Sequence, residues 1–192
     1  MFARRLVLAT LIAAASFPAL AADKYDIDPT HTQVQFTYNH MGFSNITGRF
    51  DEVGGEFLFD AADPSKSSVS ITIPVASIST GVDKLDEHLL KADFFDAAQF
   101  PTATFKSTGV VAAGAGKWAV AGDLTIHGVT RPVVLDVTLN GMGEHPMRKV
   151  PAVGFDASAR IKRSDFGVGA YVPAVGDEVT LSITVEATQA KQ

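Results

Sequence analysis

The sequence contains no cysteine, which excludes both a disulfide framework and thiol chemistry. It has 16 Lys and Arg residues and 21 Asp and Glu residues, which give a formal net charge of −5. The sequence contains no run of basic residues. Nucleic acids and anionic membrane surfaces are therefore not expected as main partners. Beyond residue 21 no apolar stretch is long enough for a membrane span, and no repeat or linker divides the chain. One domain stabilised by an apolar core is expected.

The first segment has the features of a secretory signal peptide. Arg4 and Arg5 give a positive start, residues 6–17 form a short apolar run, and Ala-Leu-Ala at 19–21 is a small-residue cleavage site. A lipoprotein signal would need a cysteine at the cleavage point. We predict that residues 1–21 are a signal peptide, with cleavage after Ala21 or less favourably after Ala22, and that residues 22–192 form the secreted domain.

Nearly all of the remaining chain alternates between apolar and polar residues with the period of a β-strand. In residues 32–40, Val34, Phe36, Tyr38 and His40 share one face. The same period predicts strands at 68–73, 103–107, 118–126, 133–140, 154–163 and 179–186, a hairpin between 46–50 and 55–59, and an irregular loop at 141–151. About eight antiparallel strands indicate a closed barrel or a sandwich.

Residues 80–101 are the exception, because they carry a helical period. Val82, Leu85, Leu89 and Ala92 recur at spacings of three and four residues, which predicts one apolar helix face. The Thr80 hydroxyl, with Asp83 three residues later, is a candidate helix cap. Asp86 and His88 flank the apolar face on opposite sides. A single helix among strands predicts a lid or plug.

Some inward positions of the predicted strands are small, while phenylalanines supply the rest of the inner surface. An eight-stranded barrel can be filled by its side chains or can hold one small ligand. The small positions favour a cavity, but small and large residues also alternate in filled barrels, so both alternatives stay open. The small inward residues are Ala103, Gly122, Ala157 and Ala159.

Several short motifs occur in an order that resembles the YceI-like family. They are YDIDPTHT at 25–32, His40, GRF at 48–50, DEHL at 86–89, DFFD at 93–96, FP at 100–101, GDLTIHGVT at 122–130 and RSDFG at 163–167. Thr32 departs from the serine that the family often has there and keeps the hydroxyl. These relatives are secreted bacterial proteins with a lipocalin-like barrel that binds polyisoprenoid or related long-chain amphiphiles. The resemblance covers nearly all of residues 22–192.

The resemblance implies an all-β, antiparallel, eight-stranded lipocalin-like barrel with one helical lid segment. It further implies a non-catalytic periplasmic carrier of a polyisoprenoid, an isoprenoid quinone or a fatty-acid derivative. Some relatives are associated with cytochrome b-type proteins of the inner membrane or with stress responses, so such a cytochrome is a candidate partner. A homodimer through strand edges or the lid stays open, as do the chain length and head group of the ligand.

A ligand of this class needs a long apolar interior and a polar mouth. We expect the apolar chain to lie against Phe36, Tyr38, Phe105, Phe155 and Ala157. We expect the head group, or the closing of the lid, to involve His40, Asp86, His88 and Arg163. A pair between Asp86 and Arg163 would close one end, while an ion pair between Arg163 and Asp165 is the structural alternative.

Other function classes find less support in the sequence. A zinc site from His40, Asp86 and His88 would lack the usual ligand spacing, so no metal or cofactor is expected. Ser164 lies in no G-x-S-x-G motif, and the glycines at 167 and 169 lack the following helix of a dinucleotide site. An enzyme is not expected. A stress-response or interaction module with a filled barrel and functional loops is the remaining alternative.

Overall fold

The computed structural model describes residues 22–190 as eleven β-strands and one short α-helix. The predicted signal peptide, residues 1–21, lies outside the described residues. The strands are β1 (Asp23–Ile27), β2 (Gln33–His40), β3 (Ser44–Phe50), β4 (Gly54–Phe59), β5 (Ser68–Pro74), β6 (Ile78–Ser79), β7 (Thr102–Gly114), β8 (Lys117–Ile126), β9 (Val129–Glu144), β10 (Pro151–Lys162) and β11 (Val175–Gln189). The helix α1 is Asp83–Leu89, and short 3-10 segments occupy Pro64–Lys66, Val75–Ser77 and Arg163–Phe166.

Eight of the strands close into an antiparallel barrel, which confirms the predicted fold class. Their order is β1-β4-β5-β7-β8-β9-β10-β11, and β1 pairs back onto β11 through Tyr25 and Gln189. The 15-residue β11 is long enough to pair with two strands on one side. Its end pairs with β1, and its first ten residues pair with β2, which continues into β3 and β6.

The barrel wall follows the alternation in the sequence. Along β11, Val179, Leu181, Ile183 and Val185 face the interior, and the intervening polar residues face outward. The inward residues of β10 behave in the same way, since Phe155 and Ile161 also face the interior. Because the side-chain period of a strand is two, this pattern fixes the register that buries the apolar face.

Two glycines let aromatic rings lie flat against the wall. A Cβ at Gly48 would lie 2.4 Å from Cζ of Phe36, its cross-strand neighbour. A Cβ at Gly122 would lie 2.4 Å from Cζ of Phe105. The small size of Gly122 therefore accommodates the Phe105 ring, and it does not enlarge the interior as the sequence pattern suggested.

The pairing of two strands and the length of one loop differ from the prediction. Strands β3 and β4 follow each other in sequence but do not form a hairpin, because β3 pairs with β2 and β6 while β4 pairs with β1 and β5. The predicted loop at 141–151 is shorter, because β9 continues to Glu144 and pairs with β10 through Pro151. A run containing two glycines concealed this extension of the strand.

The helix is also shorter than its period suggested. It ends at Leu89, because backbone N–H groups of the following turns, from Phe95 and Ala97, reach back to the carbonyls of Leu89 and Leu90. Leu85 and Leu89 pack inward as predicted, whereas Val82 is 56% exposed and Ala92 is exposed. The turns bring Phe94 and Phe95 against the core.

The predicted helix cap is wrong in detail. Val82 occupies the N-cap position and makes no side-chain cap bond. Thr80 instead donates its backbone N–H and its hydroxyl to Oδ1 of Asp86, at 2.7 and 2.6 Å. Asp96 lies in the turns after the helix, where it adopts a φ of 45° and its carboxylate accepts a hydrogen bond from the Gln99 amide.

Candidate functional site

The barrel encloses an apolar cavity of about 510 Å³. This volume lies within the range of about 300–1,000 Å³ that is usual for small-molecule sites. Inward-facing residues of the barrel strands form most of the wall, and Leu85, Leu89, Phe94 and Phe95 of the lid segment complete it. The cavity is therefore a product of both the strands and the segment between β6 and β7.

Eight of the nine predicted site residues line this cavity. They are Phe36, Tyr38, His40, His88, Phe105, Phe155, Ala157 and Arg163. Five of them come from the inward faces of β2 and β10. Both strands pair with β11. Their convergence follows from strand alternation and from the barrel order, neither of which requires a functional argument.

Asp86 is the exception. It does not line the cavity, and both of its hydrogen bonds from Thr80 hold its Oδ1 at the start of the helix. Its carboxylate secures the connection between β6 and α1. The helical period placed Asp86 correctly at the edge of the apolar face, but it could not show that Thr80 would fold back onto it.

Arg163 is buried at one end of the cavity and bound by backbone carbonyls. Its guanidinium donates to the carbonyls of Gly176 (2.9 Å), Val168 (2.6 Å), Ala170 (2.9 Å) and Val175 (3.0 Å). These bonds use four of the five N–H donors of the side chain. Arg163 thus holds the loop between β10 and β11 in place, and its charge stays next to the cavity.

The two ion pairs expected for Arg163 do not form in residues 22–190. No salt bridge joins it to Asp86 or to Asp165 there. Burial lowers the pKa of Arg163, and the nearby charge of Asp177 and the Tyr38 hydroxyl oppose this effect. Asp177 itself accepts hydrogen bonds from the backbone N–H and hydroxyl of Ser164. The backbone carbonyls therefore replace a carboxylate as the direct partners of Arg163.

Polar side chains gather at the same end of the cavity. Tyr38 pairs with Val179 and His40 pairs with Val175, beside the carbonyls that Arg163 binds. Burial raises the pKa of the Tyr38 hydroxyl, and Arg163 opposes this rise. In the part of the chain that the structure describes, no hydrogen bond occupies this hydroxyl or the rings of His40 and His88. These groups are available to a ligand.

Two further residues at this end were not predicted from the sequence. Met41 and Tyr171 line the cavity and remain 49% and 57% exposed. The Tyr171 ring lies 6.1 Å from that of Phe94, which in turn lies 5.0 Å from the His88 ring. The cavity wall therefore reaches the surface of the protein at these residues. Both lie in turns, where strand alternation gives no information about which way a side chain points.

Aromatic rings pack closely at the other end of the barrel. Phe155 contacts Phe57, Phe59 and Trp118 at centroid distances of 5.7, 5.4 and 6.2 Å, in edge-on arrangements. Tyr25 is 5% exposed and contacts the rings of Phe57 and Phe59. Such edge-to-face contacts stabilise beyond the effect of buried area. Phe155 thus serves both the cavity wall and the core.

A polar network outside the cavity joins the β1–β2 connection to the loop after β9. Buried Asp28 accepts hydrogen bonds from the Thr30 backbone N–H and hydroxyl, and it contacts His31 and Arg148 through Oδ2 at 3.2 and 3.1 Å. The Thr30 hydrogen bonds are the main cause that holds the pKa of Asp28 well below its usual range, with smaller contributions from His31 and Arg148, against the opposing effect of burial.

The same network contains a set of groups that could ligate a metal ion. One oxygen or nitrogen of each of Asp28, His31 and Glu186 lies within 4.8 Å of the others. The Arg148 guanidinium, however, already occupies Oδ2 of Asp28 and would repel a cation there. His145 adds no ligand, because its Nδ1 accepts backbone N–H groups of Met147 and Arg148, which leaves the proton on the Nε2 that faces Glu186. The arrangement fits an ion-pair network better than a metal centre.

Among the described residues, no helix is both long and apolar enough to cross a membrane.

Known proteins resemble this chain in sequence, in fold or in both. The chain is 41% identical over 184 residues to a UPF0312 protein of Serratia proteamaculans, covering 95% of this chain and 94% of the relative. The crystal structure of Burkholderia cenocepacia BcnA superposes with a TM-score of 0.78 at 32% identity, covering 85% of this chain and all of that one. A polyisoprenoid binding domain from Saccharophagus degradans, implicated in plant cell wall breakdown, shares the fold with a TM-score of 0.66 at 17% identity, covering 86% of this chain and 98% of that one.

The YceI-like domain model matches residues 25–187, which span every strand of the barrel. The order of motifs in the sequence, the closed barrel with its cavity and the relatives all agree. The chain belongs to the YceI-like family.

Proposed function

We propose that this protein is a non-catalytic periplasmic carrier that binds a polyisoprenoid, an isoprenoid quinone or a fatty-acid derivative inside its barrel. The cavity of about 510 Å³ carries this proposal, because its wall is mostly apolar and one end of it carries Tyr38, His40, His88 and Arg163. This is the distribution that an amphiphile requires, with its chain inside and its head group at the mouth. The Saccharophagus degradans protein of the same fold is a polyisoprenoid binding domain, and polyisoprenoids are ligands of this class.

The energetics favour a long chain. Each methylene group transferred from water to an apolar wall contributes about 0.8 kcal/mol. About ten such groups would contribute on the order of 8 kcal/mol before the costs of immobilisation. The Tyr38 hydroxyl and the rings of His40 and His88 can then bind a hydroxyl or carbonyl head group. The positive charge of Arg163 favours an oxygen acceptor at this end.

A filled barrel with functional loops is the competing proposal, and the cavity counts against it. A cytochrome b-type partner in the inner membrane and a role in stress responses enter our proposal only through the family resemblance. A homodimer through strand edges or the lid stays open. Export through cleavage of residues 1–21 is the part of the proposal that places the carrier in the periplasm.

The test is native mass spectrometry of the full chain expressed in a Gram-negative host and purified from periplasm without detergent. We expect a mass that corresponds to loss of residues 1–21, together with an added mass that solvent extraction identifies as a prenyl or acyl chain. Protein without added mass that also refuses prenyl quinones and fatty amides would overturn the carrier proposal. Protein retained in the cytoplasm would overturn the proposed location.

A matched pair of variants locates the ligand. Ala157 faces the cavity in the middle of β10, whereas its neighbour Ser158 is exposed on the outer face. Ala157→Trp should remove the added mass because the indole fills the cavity, and Ser158→Trp should leave it unchanged. Circular dichroism of both variants controls for folding. Equal lipid content in the two folded variants would contradict a ligand inside the barrel.

A further inference from the structure

Four exposed apolar side chains lie in the turn and the loop that carry Met41 and Tyr171 to the cavity wall, and we name them the open rim. They are Met41 (49% exposed), Phe43 (92%), Tyr171 (57%) and Val172 (36%). The first two lie in the turn between β2 and β3, and the last two lie in the loop before β11. The pairing of His40 with Val175, and the hydrogen bond from Val175 N–H to the Tyr171 carbonyl, bring this turn and this loop together.

The open rim continues the apolar surface of the cavity to the outside. Ten large apolar side chains are exposed in residues 22–190, and Met41 and Tyr171 are the two among them that also line the cavity. Single exposed apolar residues are normal, but a group of them beside a cavity marks an interaction site. Packing gives no reason for Phe43, since 92% of it is in contact with solvent.

The open rim is also free of formal charge. No Lys, Arg, Asp or Glu occurs in residues 38–48 or 166–176, and the nearest charged residues in sequence, Arg49, Asp165 and Asp177, follow or flank these segments. A surface that docks on another protein usually carries charged or hydrogen-bonding groups around its apolar centre. An uncharged apolar surface with an exposed tyrosine matches the interfacial region of a lipid bilayer, where aromatic side chains are enriched.

From these observations we infer that the open rim docks on the surface of a lipid bilayer, so that a ligand passes between bilayer and cavity without crossing water. The inference rests on the proposed carrier function. Transfer of about ten methylene groups through water would cost on the order of 8 kcal/mol, which corresponds to a rate lower by about a millionfold. Contact between the open rim and the bilayer removes this barrier.

The uncharged open rim and the acidic chain together predict which lipids the protein binds. The formal net charge of the protein is −5, so anionic lipids cannot attract it as a whole. Docking should therefore occur on zwitterionic vesicles, and anionic lipid should not strengthen it. It should also persist at high salt, because insertion of apolar side chains is not screened.

The first experiment is flotation of the mature protein with vesicles of phosphatidylethanolamine and phosphatidylcholine. We expect the parent protein to float with the vesicles and Phe43→Ser to lose roughly fivefold or more of this binding, because one buried aromatic ring is lost. Met147→Ser is the matched control, because Met147 is 85% exposed in the loop between β9 and β10 and does not line the cavity. Absence of binding by the parent, or equal binding by Phe43→Ser, would overturn the inference.

A second measurement distinguishes docking on a bilayer from self-association of the chain. Because the chain contains no cysteine, Phe43→Cys and Met147→Cys each provide a unique position for an environment-sensitive fluorophore. Vesicles should shift the emission of the label at 43 to the blue and leave the label at 147 unchanged. If sedimentation instead shows that the open rim joins two copies of the chain, and that Phe43→Ser separates them without an effect of vesicles, docking on a bilayer is wrong.

The failure of docking and the failure of the carrier function are separable. Native mass spectrometry without vesicles reports the cavity ligand alone, and Phe43→Ser should retain it, since Phe43 lies outside the cavity wall. A ligand-loaded protein that ignores vesicles would refute only the docking inference. A ligand-free protein that docks through Phe43 would refute only the carrier proposal.

Discussion

At the end of the barrel near Tyr25 and Phe155, five aromatic rings pack against one another, whereas at the open rim about half or more of each of Met41, Phe43 and Tyr171 is in contact with solvent. We call the first region the aromatic end, formed by Tyr25, Phe57, Phe59, Trp118 and Phe155. Both ends use large apolar residues. They differ in whether another part of the chain covers them.

The aromatic end stabilises the fold and also forms part of the cavity wall, whereas the open rim lies where the cavity wall meets solvent. At the aromatic end, β1 pairs with both β4 and β11 and thereby closes the barrel. At the open rim, the loop before β11 depends on Arg163, which binds four backbone carbonyls and leaves the neighbouring side chains exposed. Substitutions at the aromatic end should therefore affect unfolding, and substitutions at the open rim should affect ligand exchange.

The largest expected effect is that of Phe155→Ala. The ring is 8% exposed and contacts three other rings, so its removal leaves a cavity in a packed cluster. Loss of a buried phenylalanine side chain lowers the free energy of unfolding by about 3–5 kcal/mol. Denaturant unfolding followed by circular dichroism measures this change.

The matched substitution at the other end is Tyr171→Ala. Because the ring is 57% exposed, its loss should lower the free energy of unfolding by about 1 kcal/mol or less. Similar values for the two variants would mean that the open rim contributes to the core, and the contrast between the two ends would no longer hold.

An effect smaller than that of Phe155→Ala, with a characteristic pH dependence, is expected for Asp28→Asn near the aromatic end. The carboxylate of Asp28 accepts two hydrogen bonds from Thr30 and contacts Arg148. Replacement by the neutral amide should lower the free energy of unfolding at pH 7 by about 1.5–3 kcal/mol, the usual contribution of a hydrogen bond to a charged group. Asp26→Asn, on the exposed face of β1, should change it by about 0.5 kcal/mol or less.

The sign of the pH dependence follows from the lowered pKa of Asp28, for which the Thr30 hydrogen bonds are the main cause. A carboxyl with a lower pKa in the folded state stabilises fully above its unfolded pKa of about 3.9. This stabilisation is lost as the pH falls below that value. The difference in unfolding free energy between the parent and Asp28→Asn should thus be constant from pH 5 to 7 and shrink below about pH 4. A constant difference down to pH 2 would contradict this role.

The sequence was sufficient to predict most of the cavity wall, because once the inward face of a strand is known, the residues that can line a cavity are known. The period of two left a barrel and a sandwich open, and the family resemblance selected the barrel. Phe36, Tyr38 and His40 share one such face, and Phe155 and Ala157 share another. Strand order was less predictable, since adjacent strands such as β3 and β4 need not pair.

The direction of side chains in the turns could not be predicted in the same way. Met41 and Tyr171 reach the cavity from positions with positive φ, at 54° and 62°, where alternation does not apply. Arg163 was correctly placed next to the cavity, but four carbonyls from a loop of no regular pattern bind it. Asp86 lies outside the cavity wall for a similar reason, because its partner Thr80 lies before the helix and not across the cavity.

A local effect on the fold, and a clear effect on exchange, is expected for Leu85→Asp in the lid segment. Leu85 lines the cavity and packs with the cluster formed by Phe36, Ile78, Leu89 and Val179. A carboxylate in this contact is poorly solvated, so the helix should separate more often from the barrel. Because α1 has only seven residues and depends on packing for its stability, the cost should remain local.

Stopped-flow displacement of a fluorescent prenyl analogue measures the release rate, which should rise by about tenfold if the lid contact is worth about 1.4 kcal/mol. Ala92→Asp is the control, because it adds the same charge to an exposed position of the same segment. It should release the analogue at the parental rate. If Leu85→Asp also releases it at that rate, the ligand leaves through the open rim without movement of α1. Exchange would then depend on Met41 and Tyr171, and the helix would serve as a fixed part of the wall.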